Sequence, residues 1–341
     1  MNWKKIEILT ENGEKVFAQA PVIVSASRAT DIPAFYSDWF IERFKQGYLK
    51  WKNPFNGVPL YVSFENTRVI TFWSKNPKPL IKHLSYLDDK NINYYFQFTL
   101  NDYDNEKLEG NVPPLNKRID TFLELSEKIG KEKVIWRFDP YILTESLGVE
   151  ELLRRTEKIG TQLKGYTDKF VFSFADIKSY KKVQNNLRKE KVPFIEFNER
   201  TMNEMALGLQ DLNKNWNFEI GTCAEKIDLD KYNIVHNKCI DDDLMKKLFY
   251  NDHKLMEFLG YKYEKADLFD TKGKLISLKS KNLKDKGQRE ACGCIMSKDI
   301  GQYNTCPHEC LYCYANTSVE TAKKNYKQHL NNPNSETIIG E

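Results

Sequence analysis

The sequence lacks several features that would assign it to a membrane, secreted or polyanion-binding class. No apolar run approaches the roughly 18 residues of a membrane-spanning helix. The segment from Met1 to Glu14 has no apolar core of the kind that signal peptides carry, which predicts a cytoplasmic protein with no membrane partner. The chain has 52 Lys and Arg against 48 Asp and Glu, and the net charge of +4 is too small to indicate a polyanionic partner.

The composition is that of a folded protein. Hydrophobic residues make up 40% of the chain and aromatic residues 13%, which is enough for a sizeable core. The sequence contains neither internal repeats nor low-complexity tracts. A length of 341 residues fits two domains of average size or one large α/β barrel.

Short β-branched and aromatic runs alternate with longer amphipathic stretches from residue 21 to about residue 250. The runs predict eight strands: Val22–Ala26, Val69–Trp73, Tyr94–Leu100, Val134–Phe138, Phe170–Phe174, Pro193–Phe197, Phe218–Thr222 and Ile234–Lys238. The segment Leu60–Phe64 is expected to pair with the second strand as a hairpin. Predicted helices lie between the strands: Ser37–Tyr48, Pro77–Leu87, Lys117–Ile129, Glu150–Leu163, Ser179–Lys189, Glu199–Leu212 and Asp242–Phe249.

This alternation predicts an α/β fold, and eight strands favour a (β/α)8 TIM-like barrel, closed or partly open. An open doubly wound sheet is the alternative, although no G-x-G-x-x-G turn accompanies it. We expect five segments: an N-terminal extension (1–20), the barrel (21–250), a helix with a basic linker (251–290), a cysteine-rich cap that binds a cluster (291–317) and a polar tail that frays (318–341). The basic stretch Thr271–Glu290 is expected to be a solvated linker, with nucleic-acid contact as the less favoured alternative.

Polar residues in the predicted strands share one parity, which places them on the same face of a sheet: Gln97, Thr99, Asn101, Arg137, Asp139, Glu196, Asn198, Glu219 and Cys223. Further polar residues follow other strand ends, where Asp and Asn are also common turn formers. At the top of a barrel these groups would surround an active site. The candidates for contacting a cofactor or a substrate are Arg28, Asp31, Lys75, Arg137, Asp139, Glu196 and Glu225. Arg137 and Asp139 also fit a plain buried ion pair.

Cysteine is the most informative residue type. Five of the seven cysteines lie between Cys292 and Cys313. An odd number in a chain without an export signal argues against a disulfide framework. Clustered thiols in a reducing compartment indicate a metal ion or an iron–sulfur cluster.

The spacing Cys306-x3-Cys310-x2-Cys313 lets one short loop wrap a cubane and bind three of its four irons. The fourth iron then stays open, as a catalytic metal requires. A conventional four-cysteine cluster is one alternative. A zinc site that adds His308 to the three cysteines is another. A separate alternative is a zinc-dependent hydrolase that uses the same face of the barrel, with zinc activating water.

Four cysteines remain after this subtraction: Cys223, Cys239, Cys292 and Cys294. Cys223 and Cys239 follow neighbouring predicted strands, and the two others could descend from the C-terminal segment to meet them. Four thiolates suit a second iron–sulfur cluster or a zinc site. Alternatively, Cys223 and Cys239 are small buried hydrophobes.

The chain resembles the "domain of unknown function 1848" family over roughly residues 20 to 317. The segments that carry the resemblance are Ser25–Tyr36, Phe72–Pro79, Gln97–Leu100, Trp136–Pro140, Cys223–Glu225 and Cys292–Asn316. The cysteine motif resembles that of radical S-adenosylmethionine (SAM) enzymes, and Tyr312 matches the aromatic residue that often precedes their last cysteine. This second resemblance implies a [4Fe–4S] cluster that binds SAM and cleaves it reductively to methionine and a 5′-deoxyadenosyl radical. Here, however, the motif follows the last predicted strand, whereas in that superfamily it follows the first.

The sequence therefore predicts a radical-SAM-like enzyme with an unknown small-molecule or peptide substrate. It would need an electron donor such as flavodoxin or ferredoxin. The rival predictions are a non-catalytic iron–sulfur or zinc protein, with nucleic acid as a less favoured partner, and a zinc-dependent hydrolase.

Overall fold

The computed structural model describes residues 3–54, 56–263, 275–277 and 283–341. The strands in these ranges are β1 (Lys5–Leu9), β2 (Lys15–Gln19), β3 (Ile23–Ala26), β4 (Tyr48–Lys52), β5 (Pro59–Ser63), β6 (Val69–Ser74), β7 (Asn93–Thr99), β8 (Val134–Tyr141), β9 (Leu143–Thr144), β10 (Lys169–Phe174), β11 (Phe194–Ile195), β12 (Glu219–Thr222), β13 (Ile234–His236), β14 (Tyr261–Tyr263), β15 (Leu275–Ser277) and β16 (Lys298–Asp299). The helices are α1 (Ile32–Phe35), α2 (Ser37–Gln46), α3 (Lys78–Ile81), α4 (Leu84–Asp89), α5 (Leu115–Ile129), α6 (Val149–Leu163), α7 (Lys181–Lys189), α8 (Glu199–Trp216), α9 (Asp242–Leu248), α10 (His253–Leu259) and α11 (Val319–Asn331). None of these helices has the length and apolar character needed to cross a membrane.

The centre of the fold is a sheet of eight parallel strands in the order β13-β12-β10-β8-β7-β6-β3-β16. Seven of these strands follow the order of the chain, and helices separate most of them. The eighth, β16, comes from the C-terminal segment and pairs with β3. The predicted α/β class with a large parallel sheet is confirmed.

A closed TIM-like barrel is not confirmed, because β13 and β16 end the sheet on opposite sides and no ladder between them occurs in the described residues. The predicted sixth strand, Pro193–Phe197, shortens to β11, which pairs antiparallel with β9 outside the central sheet. Asn198 then caps α8 by accepting a hydrogen bond from the Thr201 amide at 3.1 Å. The prediction that Glu196 and Asn198 face the inside of a barrel is therefore wrong.

The central sheet is strongly curved. Strands β7 and β13 would lie about 19 Å apart in a flat sheet, with three strands between them. Instead, Tyr95 on β7 donates its hydroxyl hydrogen bond to the backbone oxygen of Cys239, just after β13, at 2.7 Å. Gln97 contacts the same oxygen at 3.1 Å. The inner face of the sheet thus encloses the loop after β13.

The outer face of the sheet is packed with aromatic side chains and helices. Phe72 lies against Phe40 of α2, and Trp136 stacks on Phe170 with ring centroids 4.0 Å apart. Helices α5, α6 and α8 bury their apolar faces in the same core. On the inner face, apolar residues near the strand starts pack against α9, α10 and the chain around Ile295. Polar residues can therefore collect at the carboxyl ends of the strands.

A second sheet of four strands has the order β1-β2-β5-β4. The prediction that Leu60–Phe64 forms a hairpin with Val69–Trp73 is wrong, because β5 pairs antiparallel with β4 and parallel with β2. The residues of the predicted N-terminal extension form β1 and β2 of this sheet.

The predicted polar tail does not fray. It forms α11, and Trp39 donates its indole hydrogen bond to the backbone oxygen of Ser335 at 2.9 Å. Much of the predicted basic stretch Thr271–Glu290, by contrast, lies outside the described residues.

Candidate metal centre

Polar side chains at the carboxyl ends of the parallel strands are joined by hydrogen bonds from one strand to the next. Asp31, after β3, accepts a hydrogen bond from Ser74 Oγ at the end of β6 at 2.7 Å. Asn101, after β7, accepts one from the Asp139 amide on β8 at 2.9 Å. This edge is where parallel α/β sheets usually bind their ligands.

One loop at this edge carries the first cysteine set, which comprises Cys306, Cys310 and Cys313. The backbone of the loop pairs with the chain after β7 through an antiparallel bridge between Glu109 and Cys310. Tyr36 holds the start of the loop by donating a 2.5 Å hydrogen bond to the Thr305 oxygen. The sulfur of Cys310 is buried, and Cys306 and Cys313 are half-buried.

The protein surrounds these thiols with backbone amides as well as burying them. Burial, followed by the nearby Asp31 carboxylate, raises the pKa of Cys306 to about 12. The His308 and Asp31 amides donate hydrogen bonds to Cys306 and oppose this rise in pKa. Cys313 receives hydrogen bonds from the amides two and three residues further along the chain. A thiolate in this buried loop would need a positive partner beyond the amide donors, and a bound metal would supply one.

Asp31 ties the cysteine loop to the strand ends. One carboxylate oxygen accepts hydrogen bonds from Ser74 and from the Ala34 amide at the start of α1. The other contacts the Lys75 amide and His308 Nε2, both at 2.7 Å. The second ring nitrogen of His308 lies 3.3 Å from the backbone oxygen of Asn111. Both nitrogens of His308 are thus engaged, which disfavours the alternative in which His308 is a zinc ligand.

Lys75 lies beside the cysteine loop in a buried polar cluster. Its ammonium donates hydrogen bonds to Glu109 at 2.7 Å and to Tyr312 at 2.9 Å, and Tyr312 donates its own to Glu109. Burial alone would raise the pKa of Glu109, but Lys75 and Arg118 outweigh it and lower the pKa to about 2. The pKa of Cys310 is raised well above its usual value by burial, and Lys75 opposes that rise. A charged lysine therefore faces the first cysteine set.

The second cysteine set comprises Cys223, Cys239, Cys292 and Cys294, and the structure brings all four together in a row. The sulfurs of Cys223 and Cys239 are 3.6 Å apart. Cys294 lies within hydrogen-bonding reach of both Cys239 and Cys292. The Cys239 amide donates a hydrogen bond to the sulfur of Cys294 at 3.1 Å.

Two arginines lie next to the second cysteine set: Arg137, which is buried, and Arg28, which is half-buried. Arg137 donates one hydrogen bond to the sulfur of Cys239 at 3.1 Å and another to Asp139 at 2.5 Å. Burial would lower the pKa of Arg137, but Asp139 and the two nearest thiols outweigh it and raise the pKa. Burial would also lower the pKa of Arg28, but nearby groups outweigh it and raise the pKa, and Cys294 has the largest effect among them. The protein thus surrounds this set with positive charge, which suits an anionic thiolate complex.

Glu225 and Glu196, the last two predicted contact residues, have different positions. Glu225 is half-buried and accepts a hydrogen bond from the Phe174 amide at 2.9 Å. Burial raises its pKa to about 7. Glu196 accepts a hydrogen bond from the Lys178 amide and lies outside the central sheet, so the structure does not bring it to the cysteines.

Sequence reasoning missed Asp299, which joins the C-terminal segment to the loop after β3. Its carboxylate accepts hydrogen bonds from Ser25, from Ser27 and from the Arg28 amide at 3.1, 2.6 and 2.9 Å. Gly301 passes so close that an added Cβ would lie 1.9 Å from Ser27 Oγ. Neither residue belongs to a periodic pattern or to a metal motif, so no signal in the sequence singles them out. Glu109 was missed for the same reason.

The comparisons with known proteins give one result. No curated protein and no solved structure shows significant similarity to the chain. A family model described as "Domain of unknown function (DUF1848)" matches residues 23–315, a range that contains both cysteine sets and the central sheet. Because this match covers most of the sequence, the chain belongs to the DUF1848 family.

Proposed function

We propose that the protein is a radical-SAM-like enzyme in which Cys306, Cys310 and Cys313 bind a [4Fe–4S] cluster. The observation that carries the proposal is that one buried loop at the carboxyl edge presents three thiols while its histidine is engaged elsewhere. Three thiolates bind three irons and leave the fourth open. We also propose that the curved sheet acts as a partly open barrel whose carboxyl edge the cysteine segment caps.

The residues around the loop fit such a cluster. Amide hydrogen bonds to cysteine sulfurs stabilise thiolate ligands and tune the reduction potential of a cluster. Cys306 and Cys313 both receive such bonds. The buried ammonium of Lys75 supplies positive charge next to Cys310, which offsets the negative charge of a thiolate-bound cluster.

When bound, the cluster supplies the single electron that cleaves SAM reductively. The protein's part is to fix the loop, to orient the ligands and to exclude water and oxygen. Asp31 and Lys75 are positioning residues in this proposal, since their polar atoms are used within the protein. Arg28 has a buried Nη2 atom without a hydrogen-bond partner, and Glu225 has a pKa of about 7, so these two are the favoured contacts for SAM or substrate.

The remaining elements of the proposal concern the setting of the reaction. All seven cysteines are free thiols, which fits a reducing compartment, and we place the protein in the cytoplasm. A reductant of the flavodoxin or ferredoxin class would deliver the electron. The substrate is a small molecule or a peptide.

Anaerobic purification tests the proposal. We expect a brown protein with about four irons and four sulfides per chain from the first cysteine set, and formation of 5′-deoxyadenosine from SAM and dithionite. Cys310→Ala should abolish both the cluster and the cleavage. Glu309→Gln is the matched control, since Glu309 lies in the same loop but pairs with Lys323 at 2.8 Å, and it should leave both unchanged.

Two results would contradict the proposal. A colourless protein that binds only zinc at the first cysteine set would favour the hydrolase or the zinc-protein alternative. A protein that holds the cluster but never cleaves SAM would favour a non-catalytic iron–sulfur protein.

A further inference from the structure

We propose that the exposed basic residues on and beside helix α7 form a docking surface for an acidic one-electron carrier protein. This basic face comprises Lys178, Lys181, Lys182, Arg188, Lys189 and Lys191. The inference rests on the proposed function, because it names the place where the reductant of the cluster would bind. It depends on the charge of the face, on its position beside the cysteine loop and on lysines that oppose the helix dipole.

The basic face has an excess of positive charge that the chain as a whole does not share. Residues 178–191 contain six Lys and Arg against one acidic residue, Glu190, whereas the whole chain has 52 against 48. All six basic side chains are exposed, and none of them has an ion-pair partner within the described residues. Elsewhere exposed lysines are paired, such as Lys214 with Asp211 at 2.7 Å. Unpaired charge of one sign attracts and steers a protein of opposite charge.

Two lysines of the basic face lie where they destabilise their own helix. Lys181 and Lys182 begin α7, and its first turn has no acidic residue. The N-terminus of a helix carries a partial positive charge, so cations are unfavourable there. By contrast, α6 has Glu150 and Glu151 in its first turn. Proteins keep such unfavourable local choices mainly where function requires them.

The basic face lies beside the first cysteine set. Asn186, in the middle of α7, donates a side-chain hydrogen bond to the backbone oxygen of Leu311 in the cysteine loop at 3.3 Å. Lys182 lies within electrostatic reach of Cys313, which is half-buried. An electron passes between two proteins only when their redox groups come close, so a carrier must dock where a cluster ligand lies near the surface. The basic face meets this requirement at Cys313.

Exposed aromatic side chains and a second helix complete the surface. Tyr314, which follows the first cysteine set, is 47% exposed, and its ring centroid lies 6.1 Å from that of Tyr180 just before α7. Helix α11 is close to α7, since Lys189 and Lys323 both lie within electrostatic reach of Glu320, and it contributes further exposed lysines. Aromatic residues surrounded by a polar rim are typical of protein interfaces, and small interfaces suit transient redox encounters.

The transfer involves one electron and forms no covalent bond between the two proteins. The reduced carrier loses one electron, and the cluster proposed for the first cysteine set gains it. The oxidised carrier then leaves, which a weak attraction that salt screens allows. Lysines also attract nucleic acid, but the net charge of +4 and the position beside the cysteine loop favour the carrier.

Binding measurements on the full-length protein, purified anaerobically, test this inference. We expect an acidic flavodoxin to bind, and we expect the double variant Lys181→Glu, Lys182→Glu to weaken its affinity at least about tenfold. The measurement is isothermal titration calorimetry at about 0.1 M salt, where exposed charges more than about 10 Å apart are largely screened. Glutamate is favoured in the first turn of a helix, so this variant keeps α7 folded.

The matched control is the double variant Lys247→Glu, Lys254→Glu. It makes the same change in net charge with two exposed lysines of α9 and α10, which pack near the starts of the strands. Its affinity for flavodoxin should change less than about twofold. Equal affinities of the two double variants, or a wild type that does not bind flavodoxin, would overturn the inference. A single-stranded oligonucleotide that binds the wild type more tightly than flavodoxin does, and that the α7 variant no longer binds, would overturn it as well.

A kinetic measurement separates this inference from the proposed function. With dithionite as the reductant, both double variants should form 5′-deoxyadenosine at the wild-type rate, because dithionite needs no docking surface. With reduced flavodoxin below its Kd, the α7 variant alone should lose at least about nine-tenths of that rate. A wild type that forms no 5′-deoxyadenosine with dithionite would contradict the proposed function, and the binding measurements would still decide whether the basic face docks the carrier.

Discussion

Asp31 shows how a residue predicted to contact a ligand can act through its neighbours. Both of its carboxylate oxygens are used within the protein, on Ser74, on the amides of Ala34 and Lys75 and on His308. Its side chain is 6% exposed, and that of His308 is 3% exposed. Asp31 therefore fixes the first cysteine set relative to the ends of β3 and β6, because His308 lies between Cys306 and Cys310.

Replacement of Asp31 tests this positioning role. Asp31→Asn keeps the shape of the side chain but cannot accept hydrogen bonds at both positions, which leaves a buried donor without a partner. We expect the free energy of unfolding of the metal-free protein to fall by about 3 kcal/mol, as measured by urea denaturation.

The chain offers a matched control in a second Asp–His pair. Asp38 lies 2.6 Å from His83 Nε2, but its side chain is 75% exposed. Asp38→Asn should therefore cost less than about 1 kcal/mol. Equal costs for the two substitutions would show that Asp31 does not hold the loop.

The sequence identified the cysteines of both sets, because their spacing and their positions after predicted strands carry the information. It also placed Arg137 and Asp139 at the right edge, since alternation along β8 indicates which residues share a face. The partners of these residues could not be predicted. Glu109 and Asp299 lie in loops or at a sheet edge, and only the tertiary fold brings them to Lys75 and Ser27.

At the scale of elements, β16 is a two-residue strand that fixes the start of the cysteine loop. Lys298 and Asp299 pair with β3, and Asp299 accepts hydrogen bonds from Ser25 on β3 and from Ser27 just after it. The ammonium of Lys298 lies 3.2 Å from the ring centroid of Trp51 on β4. This lysine is thus a charge enclosed between the two sheets.

The pH dependence of stability tests the enclosure of Lys298. Burial lowers its pKa from 10.5 to about 8. Between these values the unfolded chain binds more protons than the folded one, so this group makes the protein more stable as the pH rises from 8 to 10.5. Relative to Lys298→Met, the wild type should therefore gain on the order of 1–3 kcal/mol between pH 7.5 and pH 10, measured by denaturant unfolding.

Lys298→Arg provides the control, because a guanidinium keeps its charge throughout this range. Its stability relative to the methionine variant should not rise between the two pH values. A wild-type protein that behaves like the arginine variant would mean that Lys298 stays charged in the folded state at pH 10.

Elements were predictable where they were long and periodic. Strands β6, β7, β8 and β10 and helices α5 and α6 lie close to their predicted ranges, since each has a clear apolar pattern. Strand β16 has two residues and no period at all, and the predicted sixth strand is reduced to the two residues of β11, which pair with β9 outside the central sheet. The sequence did not predict helix α11, because most of its residues are polar and only a few, such as Ala322 and His329, are buried.

For the whole molecule, the C-terminal segment is the part that depends most on the proposed metals. Residues 292–316 carry five thiols and contact both ends of the central sheet, through Cys239 on one side and Ser27 on the other. The central strands are held by continuous ladders and two apolar cores. Local opening of a protein follows such differences in stability.

Metal removal should therefore loosen this segment and leave the sheet intact. After chelation under reducing, anaerobic conditions, we expect amide hydrogen exchange in residues 292–316 to accelerate at least about tenfold, which corresponds to about 1.4 kcal/mol of lost local stability. Exchange in β7 and β8 should stay unchanged. In the variant Cys306→Ser, Cys310→Ser, Cys313→Ser, which lacks the first cysteine set, residues around 306–316 should already exchange fast before chelation. If chelation instead accelerated exchange uniformly across the central sheet, the result would contradict the prediction. It would mean that the metals stabilise the whole fold and not only residues 292–316.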